Sequence, residues 1–476
     1  MRSTANGFKW SIIERLSTQI IQLIVTLYLA RLLGPHVFGL VGMLVVFIAI
    51  SQVFVDSGFS SALIRHTERT EKDFSTTFYF SIGVGITCYF VLFAIAPYVA
   101  SFFEQSELIN LLRVLGLTVI INSFAIVQRT KLIIEMDFKT QAKASLISVF
   151  ISCGTVIYLA NMGYGVWALV GQTVINTLCN VVFLNIYLRW FPTTGFSKNS
   201  FNYLFSFGSK LLIAGLLDTI FKNIYQIIIG KQFFANQVGF FTQANQLASV
   251  PAMTFTSVIQ RVTYPMLSNI QNDTTKFDET YLLTLRMTAL FIFPLMVGLS
   301  LSATPLITLI LGEEWLPAAE LLQIISLAFM LYPVHAINLN LLQVKGRSDI
   351  FLKLEVIKKF LLVCILFITT PLGIKAMCIG MVIQAYIAFF INSFYTGKFC
   401  KLNTAKQLKI LTPIWLGVFI CAILTHCTYL FIDTNAYIEL AINLSVMPLL
   451  YIAFIRWMQP DLYLIITTTV FGKRLT

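Results

Sequence analysis

The chain has 476 residues, of which 57% are hydrophobic and only 11% are charged. Soluble proteins carry about 25% charged residues, so a soluble protein of this length would lack the charge to cover its surface. The composition therefore excludes a soluble enzyme, a secreted disulfide scaffold and a disordered chain, and it predicts a polytopic membrane protein. The formal net charge is +12, and its meaning depends on where the lysines and arginines lie relative to the bilayer.

Fourteen segments are long and apolar enough to be membrane-spanning helices, which need about 20 apolar residues. In chain order they are 8–33, 38–61, 74–99, 107–129, 141–160, 165–187, 204–229, 237–261, 284–302, 318–345, 351–370, 374–396, 409–431 and 436–458. We therefore predict an all-α polytopic fold with about 14 transmembrane helices.

The distribution of basic residues predicts the orientation. If the N-terminus is cytoplasmic, most of the 33 lysines and arginines fall at inner helix ends or in inner loops, as the positive-inside rule requires. An even number of spans then places the C-terminus in the cytoplasm as well. Because topology accounts for the basic excess, no nucleic-acid partner is predicted.

The connections between the spans are short. The longest outward connection, 303–317, contains Gly312, Glu313, Glu314 and Trp315, and no segment predicts a domain outside the bilayer. This disfavours a membrane glycan polymerase or ligase. The sequence has no GxxxxGK[ST] motif to hold a nucleotide. Its eight cysteines include no CxxC pair, so no metal site and no catalytic residue is predicted.

A weak internal repeat appears when the chain is shifted by 200 residues. Segment 29–39 then aligns with 229–239, so that Arg31 falls on Lys231 and Gly39 on Gly239. We predict a six-helix lobe over 1–187, a cytoplasmic linker over 188–203 and a second six-helix lobe over 204–396. A cytoplasmic loop, helices 13 and 14 and a basic tail follow over 397–476. Two lobes of equal orientation imply a pseudo-twofold axis along the membrane normal and a central cavity between them.

Polar residues follow one face of the first span of each predicted lobe. Charges at membrane depth are costly and usually face a cavity or a partner. The polar face of span 1 carries Glu14, Arg15, Thr18 and Gln22, and that of span 7 carries Lys210, Asp218, Lys222 and Gln226. Spans 2 and 8 add Gln52, Asp56 and Gln243. We predict that these side chains line the central cavity.

Charge suggests what such a cavity accepts. Arg15, Lys210, Lys222 and Arg31 are the candidate cations for a phosphate-bearing substrate. Thr18, Gln22, Gln226, Gln52 and Gln243 are the candidate polar lining. Glu14, Asp56 and Asp218 are the candidates for coupling to H⁺ or Na⁺. No cofactor other than this coupling ion is predicted.

Each of these assignments has a structural alternative. Arg15 and Lys210 lie near inner helix ends, where long basic side chains reach the interface. Asp218 and Lys222 are four residues apart, which is the spacing of a structural ion pair on one helical face. Asp56 is placed to cap a helix break, and Arg31 to stabilise a helix C-terminus.

Several short motifs occur in one order along the chain. They are Ala30-Arg-Leu-Leu-Gly-Pro35, Asp56-Ser-Gly-Phe59, Gly165-Val-Trp-Ala168, Gly239-Phe-Phe-Thr-Gln-Ala244, Gly312-Glu-Glu-Trp315 and Gly346-Arg-Ser-Asp349. Over about residues 1–400 this order resembles the Wzx-like polysaccharide flippases, exporters of capsule, O-antigen or teichuronic acid in the multidrug/oligosaccharidyl-lipid/polysaccharide exporter superfamily. Arg31 and Asp56 occupy matched motif positions, whereas Arg15, Lys210 and Lys222 rest on the polar face alone.

The resemblance implies a non-enzymatic flippase of the bacterial plasma (inner) membrane. Such a protein moves undecaprenyl-pyrophosphate-linked oligosaccharides from the inner to the outer leaflet by alternating access, for lipopolysaccharide, capsule or other surface polysaccharide biosynthesis. The implied partners are the lipid-linked oligosaccharide, membrane lipid, a polysaccharide polymerase and a chain-length regulator. The main alternative is a cation-coupled multidrug antiporter of the same superfamily, which the basic character of the predicted cavity disfavours.

Overall fold

A computed structural model describes residues 2–430, 435–461 and 463–464, without the side chains at 2–9, 11–13, 15 and 430. The described chain is mostly helical and contains no strand, which confirms the all-α class. Helices are the expected outcome in hydrocarbon, because each must satisfy its own backbone hydrogen bonds where water is absent.

Contacts divide the chain into two units, Met1–Thr242 and Gln243–Thr476. The first unit contains α1 (Arg2–Asp56), α2 (Phe59–Arg65), α3 (Glu71–Phe103), α4 (Leu108–Ser123), α5 (Ile126–Ile134), α6 (Phe138–Asn161), α7 (Val166–Leu188), α8 (Lys198–Lys222) and α9 (Ile224–Gln232). The next helix, α10 (Ala235–Asn269), begins in the first unit and continues into the second.

The second unit contains the remaining helices. They are α11 (Thr274–Leu301), α12 (Ala303–Ile310), α13 (Leu316–Phe329), α14 (Tyr332–Val344), α15 (Ser348–Thr369), α16 (Ile374–Thr396), α17 (Thr404–Cys427) and α18 (Ala436–Met458). The predicted division into lobes over 1–187 and 204–396 stays a prediction.

In the described part of the chain, most residues of all fourteen predicted segments lie in helices, but the count of fourteen spans is not confirmed. Ten described helices are long and apolar enough to cross a membrane, or eleven if the bent pair α4 and α5 is one span. The numbers differ partly because α1 merges the first two segments across a kink at Gly34, where φ is +73°. Among the described helices, α10 and α15 are not in that set. Lys353, Glu355, Lys358 and Lys359 make α15 markedly charged.

The segment 303–317, predicted to be an outward loop, is largely helical. Helix α12 is followed by a single 3₁₀ turn over Glu313–Trp315. Trp315 is fully buried, and Gly312 precedes the turn with a φ of +99°, a conformation that favours glycine. The Gly-Glu-Glu-Trp motif is therefore a packed corner of the second unit.

The Gly-Arg-Ser-Asp motif is the turn between α14 and α15. Gly346 has a φ of +69°, and Arg347 donates from Nε and Nη2 to the two carboxylate oxygens of Asp349, at 2.9 and 2.7 Å. The Arg347 guanidinium lowers the pKa of Asp349 to about 2, so the pair stays charged at all physiological pH values.

The predicted linker over 188–203 is anchored to the first unit. The Trp190 indole donates to Glu71 at 2.9 Å, and the ammonium of Lys131 lies 2.8 Å from the other oxygen of the same carboxylate. Further along, the backbone N–H of Ser197 donates to the Thr76 hydroxyl at 3.0 Å. These contacts fix the approach to α8.

The two segments that the 200-residue offset aligns cross each other inside the first unit. A Cβ atom added to Gly39 would lie 1.9 Å from the carbonyl oxygen of Ala235, and one added to Gly239 would lie 2.1 Å from that of Pro35. The contact is reciprocal under the offset, since 35 and 39 correspond to 235 and 239. Only glycine lets the two backbones approach this closely.

We expect Gly39→Ala to lower the melting temperature of the purified protein, because its methyl group would force the crossing apart. Overpacking costs roughly 1–3 kcal/mol even where flexible side chains can adjust, and here the obstacle is backbone. Gly83→Ala in α3 is the matched control, since an added Cβ there meets nothing within 4 Å. Equal melting temperatures for the two variants would contradict the close crossing.

Candidate functional site

A polar chamber of about 480 Å³ lies inside the first unit, among α1, α4, α5, α6 and α7. Among the described side chains, five amides line it, together with four hydroxyls, one acid, one base and two aliphatic residues. The amides are Gln52, Asn122, Gln141, Asn176 and Asn180, and the hydroxyls are Thr118, Ser145, Thr173 and Thr177. Polar groups among membrane helices are costly, so their convergence on one space marks a functional site.

Arg129 is the base of the chamber. It lies on the short helix α5, which meets α4 at a bend of 43°. Its Nη2 donates to Asn180 Oδ1 on α7 at 2.9 Å. The neighbouring residue, Gln128, is fully buried and donates to Asn185 at 2.7 Å. The two bonds fix α5 to α7 and hold the guanidinium toward the chamber.

Glu14 is the acid of the chamber. The charges of Glu14 and Arg129 attract each other, but they form no salt bridge among the described side chains. Ser145 and Gln141 on α6 interact with the Glu14 carboxylate. The acid and the base therefore belong to the same chamber without neutralising each other by direct contact.

Gln52 separates this chamber from a second pocket of the first unit. Its Oε1 accepts a hydrogen bond from Asn122 Nδ2 at 2.5 Å. The second pocket, of about 400 Å³, is also lined by Asp56, Ser61 and Leu211. Asp56 accepts a hydrogen bond from Ser60, one turn into the segment that follows the break at Ser57 and Gly58. Of the predicted residues, Glu14 and Gln52 thus share a chamber, and Asp56 adjoins it.

The candidate cations whose side chains are described lie outside the chamber. Lys222 and Asp218 form an ion pair of 2.7 Å, with 66% and 52% of their side chains exposed. Lys210 is exposed on α8, and Arg31 is exposed on α1 three residues before the kink. The side chain of Arg15 lies outside the described residues. Among the described side chains, neither Arg31, Lys210 nor Lys222 lines the chamber of the first unit.

The remaining predicted polar residues are dispersed. Thr18 donates to the backbone carbonyl of Glu14 at 2.7 Å, and Gln22 is exposed. Gln226 is half-buried, with an Oε1 that has no hydrogen-bond partner among the described residues. Gln243 is fully buried, and within the described chain neither polar atom of its amide is paired. Their role in a central cavity stays a prediction.

The sequence analysis missed most of the chamber. Arg129 was not among the candidate cations, and of the five amides only Gln52 was assigned to a cavity. One signal was available, because Asn176 and Asn180 are four residues apart in an otherwise apolar span and so share a helical face. Thr118 and Asn122 on α4 and Gln141 and Ser145 on α6 have the same spacing, but only packing brings these helix faces together.

Solved structures of similar fold are transporters. The structure of "Lipid II flippase MurJ, inward closed conformation" matches with a TM-score of 0.77 and 15% identity, over 95% of this chain and 99% of that one. A multidrug resistance MATE family transporter of the MOP superfamily, in an inward-facing conformation, matches with a TM-score of 0.63 and 18% identity, over 81% and 98% of the two chains. At these identities the likeness shows the fold alone.

The sequence comparisons define the family. The family model "Polysaccharide biosynthesis protein" matches residues 28–320, more than half of the chain, and the chain belongs to that family. The teichuronic acid biosynthesis protein TuaB of Bacillus subtilis (strain 168) is 26% identical, over 72% of each chain. The lipopolysaccharide biosynthesis protein WzxC of Escherichia coli (strain K12) is 24% identical, over 82% of this chain and 79% of that one. The resemblance to Wzx-like exporters is confirmed.

We expect Asn180→Leu to destabilise the protein, because Asn180 is the described hydrogen-bond acceptor of Arg129. Leaving a buried charged donor unpaired costs about 1–3 kcal/mol or more. Asn176→Leu is the matched control, since Asn176 lies one turn away on the same wall and has no hydrogen bond among the described residues. Thermal unfolding of the two purified variants tests this. A melting temperature for Asn180→Leu no lower than that for Asn176→Leu would contradict the anchoring role.

Proposed function

We propose that this multi-pass membrane protein is a flippase for surface polysaccharide biosynthesis. It moves undecaprenyl-pyrophosphate-linked oligosaccharide repeat units from the inner to the outer leaflet of the bacterial plasma membrane. The observation that carries this proposal is the family match over residues 28–320, supported by a fold shared over 95% of the chain with a lipid II flippase.

The proposed mechanism is alternating access without covalent chemistry. A polyprenyl pyrophosphate carries its charge next to its lipid, so the charge needs cations inside the bilayer while the tail remains in hydrocarbon. Arg15, Arg31, Lys210 and Lys222 are the proposed cations. Lys222 is exposed beside Asp218, an arrangement that holds the ammonium in place and leaves it accessible to an anionic group.

We propose that an ion gradient or downstream polymerisation gives the movement its direction. Glu14, Asp56 and Asp218 are the acids assigned to H⁺ or Na⁺ coupling. Their environments differ, because Asp218 is already paired with Lys222 and Asp56 accepts a hydrogen bond from Ser60, whereas Glu14 has no salt-bridge partner among the described side chains.

The proposal includes an orientation and partners. Both termini lie in the cytoplasm, as the basic residues indicate. The protein acts on its lipid-linked substrate without enzymatic activity and hands the repeat unit to a polysaccharide polymerase that works with a chain-length regulator. The family assignment favours this function over a multidrug antiporter, although the MATE transporters share the fold.

We expect deletion in the native host to abolish surface polysaccharide and to trap lipid-linked repeat units on the inner leaflet. The sidedness of the repeat units is measured by their accessibility to an added glycosidase in intact spheroplasts. Repeat units that reach the outer leaflet unpolymerised would indicate a polymerase or ligase. An unchanged polysaccharide with altered tolerance to cationic drugs would indicate the antiporter. Inverted vesicles with an imposed H⁺ or Na⁺ gradient then identify the coupling ion.

We expect Lys222→Ala and Arg15→Ala each to reduce polysaccharide export at least several-fold in cells that lack the native copy, because each removes a cation proposed to bind pyrophosphate. Lys276→Ala is the control, since Lys276 is 74% exposed and pairs with Asp273 at the start of α11. Membrane abundance of each variant is measured by immunoblot. Normal export by both variants at normal abundance would reject the assignment of these two cations.

A further inference from the structure

We propose that the chamber of the first unit binds a neutral sugar residue of the transported glycan. This inference rests on the proposed function, because it assigns part of the substrate to a site that the cation hypothesis leaves unused. At about 480 Å³, the chamber falls within the range of roughly 300–1,000 Å³ that is typical of small-molecule sites.

The lining has the hydrogen-bonding groups that a sugar requires. A sugar presents hydroxyl groups that donate and accept at adjacent carbons, and an amide side chain both donates and accepts. Five amides line this one space. Asn176 has no hydrogen bond among the described residues, and the buried Gln141 Oε1 is also without a partner there. These groups remain available for the hydroxyls of a ligand.

The two charged residues of the described lining can also bond to sugar hydroxyls. Arg129 uses Nη2 to donate to Asn180, and its other N–H donors have no partner among the described residues. Glu14 supplies an acceptor that forms no salt bridge in the described part of the chain. A hydroxyl-bearing ring can accept from the guanidinium and donate to the carboxylate, and both bonds are strengthened by the charge.

The same charges select against other parts of the substrate. The described lining holds one acid and one base and so carries no net charge, whereas a pyrophosphate requires an excess of cations. A uronic acid would add a second carboxylate to a chamber whose described lining has a single guanidinium, and the excess negative charge would be unfavourable. The ligand class that fits is therefore a neutral hexose or N-acetylhexosamine.

Direct binding tests the proposal independently of transport. Full-length protein in lipid nanodiscs is mixed with D-glucose, D-galactose, N-acetyl-D-glucosamine or D-glucuronate, and saturation-transfer difference NMR detects contact with the protein. We expect a signal from at least one neutral sugar and a weaker one from glucuronate. Asn176→Leu and Thr177→Val should each reduce the neutral-sugar signal at least threefold.

The control removes a hydroxyl outside the chamber. Thr155 lies on α6, the helix that carries Gln141 and Ser145, and its hydroxyl donates to the Ile151 carbonyl on an exposed part of the helix. Thr155→Val should leave the signal unchanged. Thermal unfolding establishes that all three variants are folded. The proposal is overturned if no neutral sugar gives a signal, or if Asn176→Leu and Thr177→Val retain the signal as fully as Thr155→Val.

A flipping assay separates this proposal from the proposed function. In proteoliposomes, Asn176→Leu should slow movement of undecaprenyl pyrophosphate carrying its sugars and leave movement of undecaprenyl pyrophosphate alone unchanged, whereas Lys222→Ala should slow both. If neither lipid moves with the unmodified protein, the proposed function fails. The NMR result then still decides whether the chamber binds sugar.

Discussion

Hydrocarbon allows a spanning backbone only if its polar groups are satisfied within the segment, and this constraint shapes the whole protein. It fixes the helix as the single element of the described chain and makes helix association depend on close packing, because lipid is as apolar as the helix surfaces themselves. The crossing of Gly39 and Gly239 is the clearest example. There the backbones approach to distances that exclude even a methyl group, so side-chain size at two positions controls the geometry of the first unit.

The same constraint gives the polar chamber its significance. Outside the aqueous phase, amides, hydroxyls and charges must find partners or line a hydrated or liganded space. In the second unit, polar side chains find partners in one another. Tyr281, Asn338, Thr396 and Gln407 bond to one another in a buried network that joins α11, α14, α16 and α17. In the first unit, polar side chains instead line a space, since Arg129 and Glu14 share a chamber lined by amides. The first network is structural, and the chamber is the space that we propose to bind a sugar.

A flippase for glycolipids has to handle three chemistries in one molecule. Its substrate joins an apolar tail, a concentrated negative charge and a neutral, hydroxyl-rich head. In our proposal, the exposed cations of α8 bind the pyrophosphate. The chamber, whose described lining has no net charge, binds the neutral sugar. Separating these tasks would let one scaffold recognise the common pyrophosphate lipid while the chamber lining adapts to a particular glycan.

Much of this was determined by the sequence alone. Low charge and long apolar segments dictate membrane helices, the basic residues predict orientation, and the motif order identifies the family. The positions of the helices follow from the sequence, because hydrophobicity and helical backbone hydrogen bonds depend on residues that are close together in the chain. The site is different, since Glu14, Gln52, Asn122, Arg129, Gln141 and Asn180 come from five helices, and no local rule states which helix faces meet. The lysine and acid of α8 were predicted together because they are one turn apart. Arg129 was missed because its partners lie on other helices, and only tertiary packing places an arginine and a glutamate in the same chamber without pairing them.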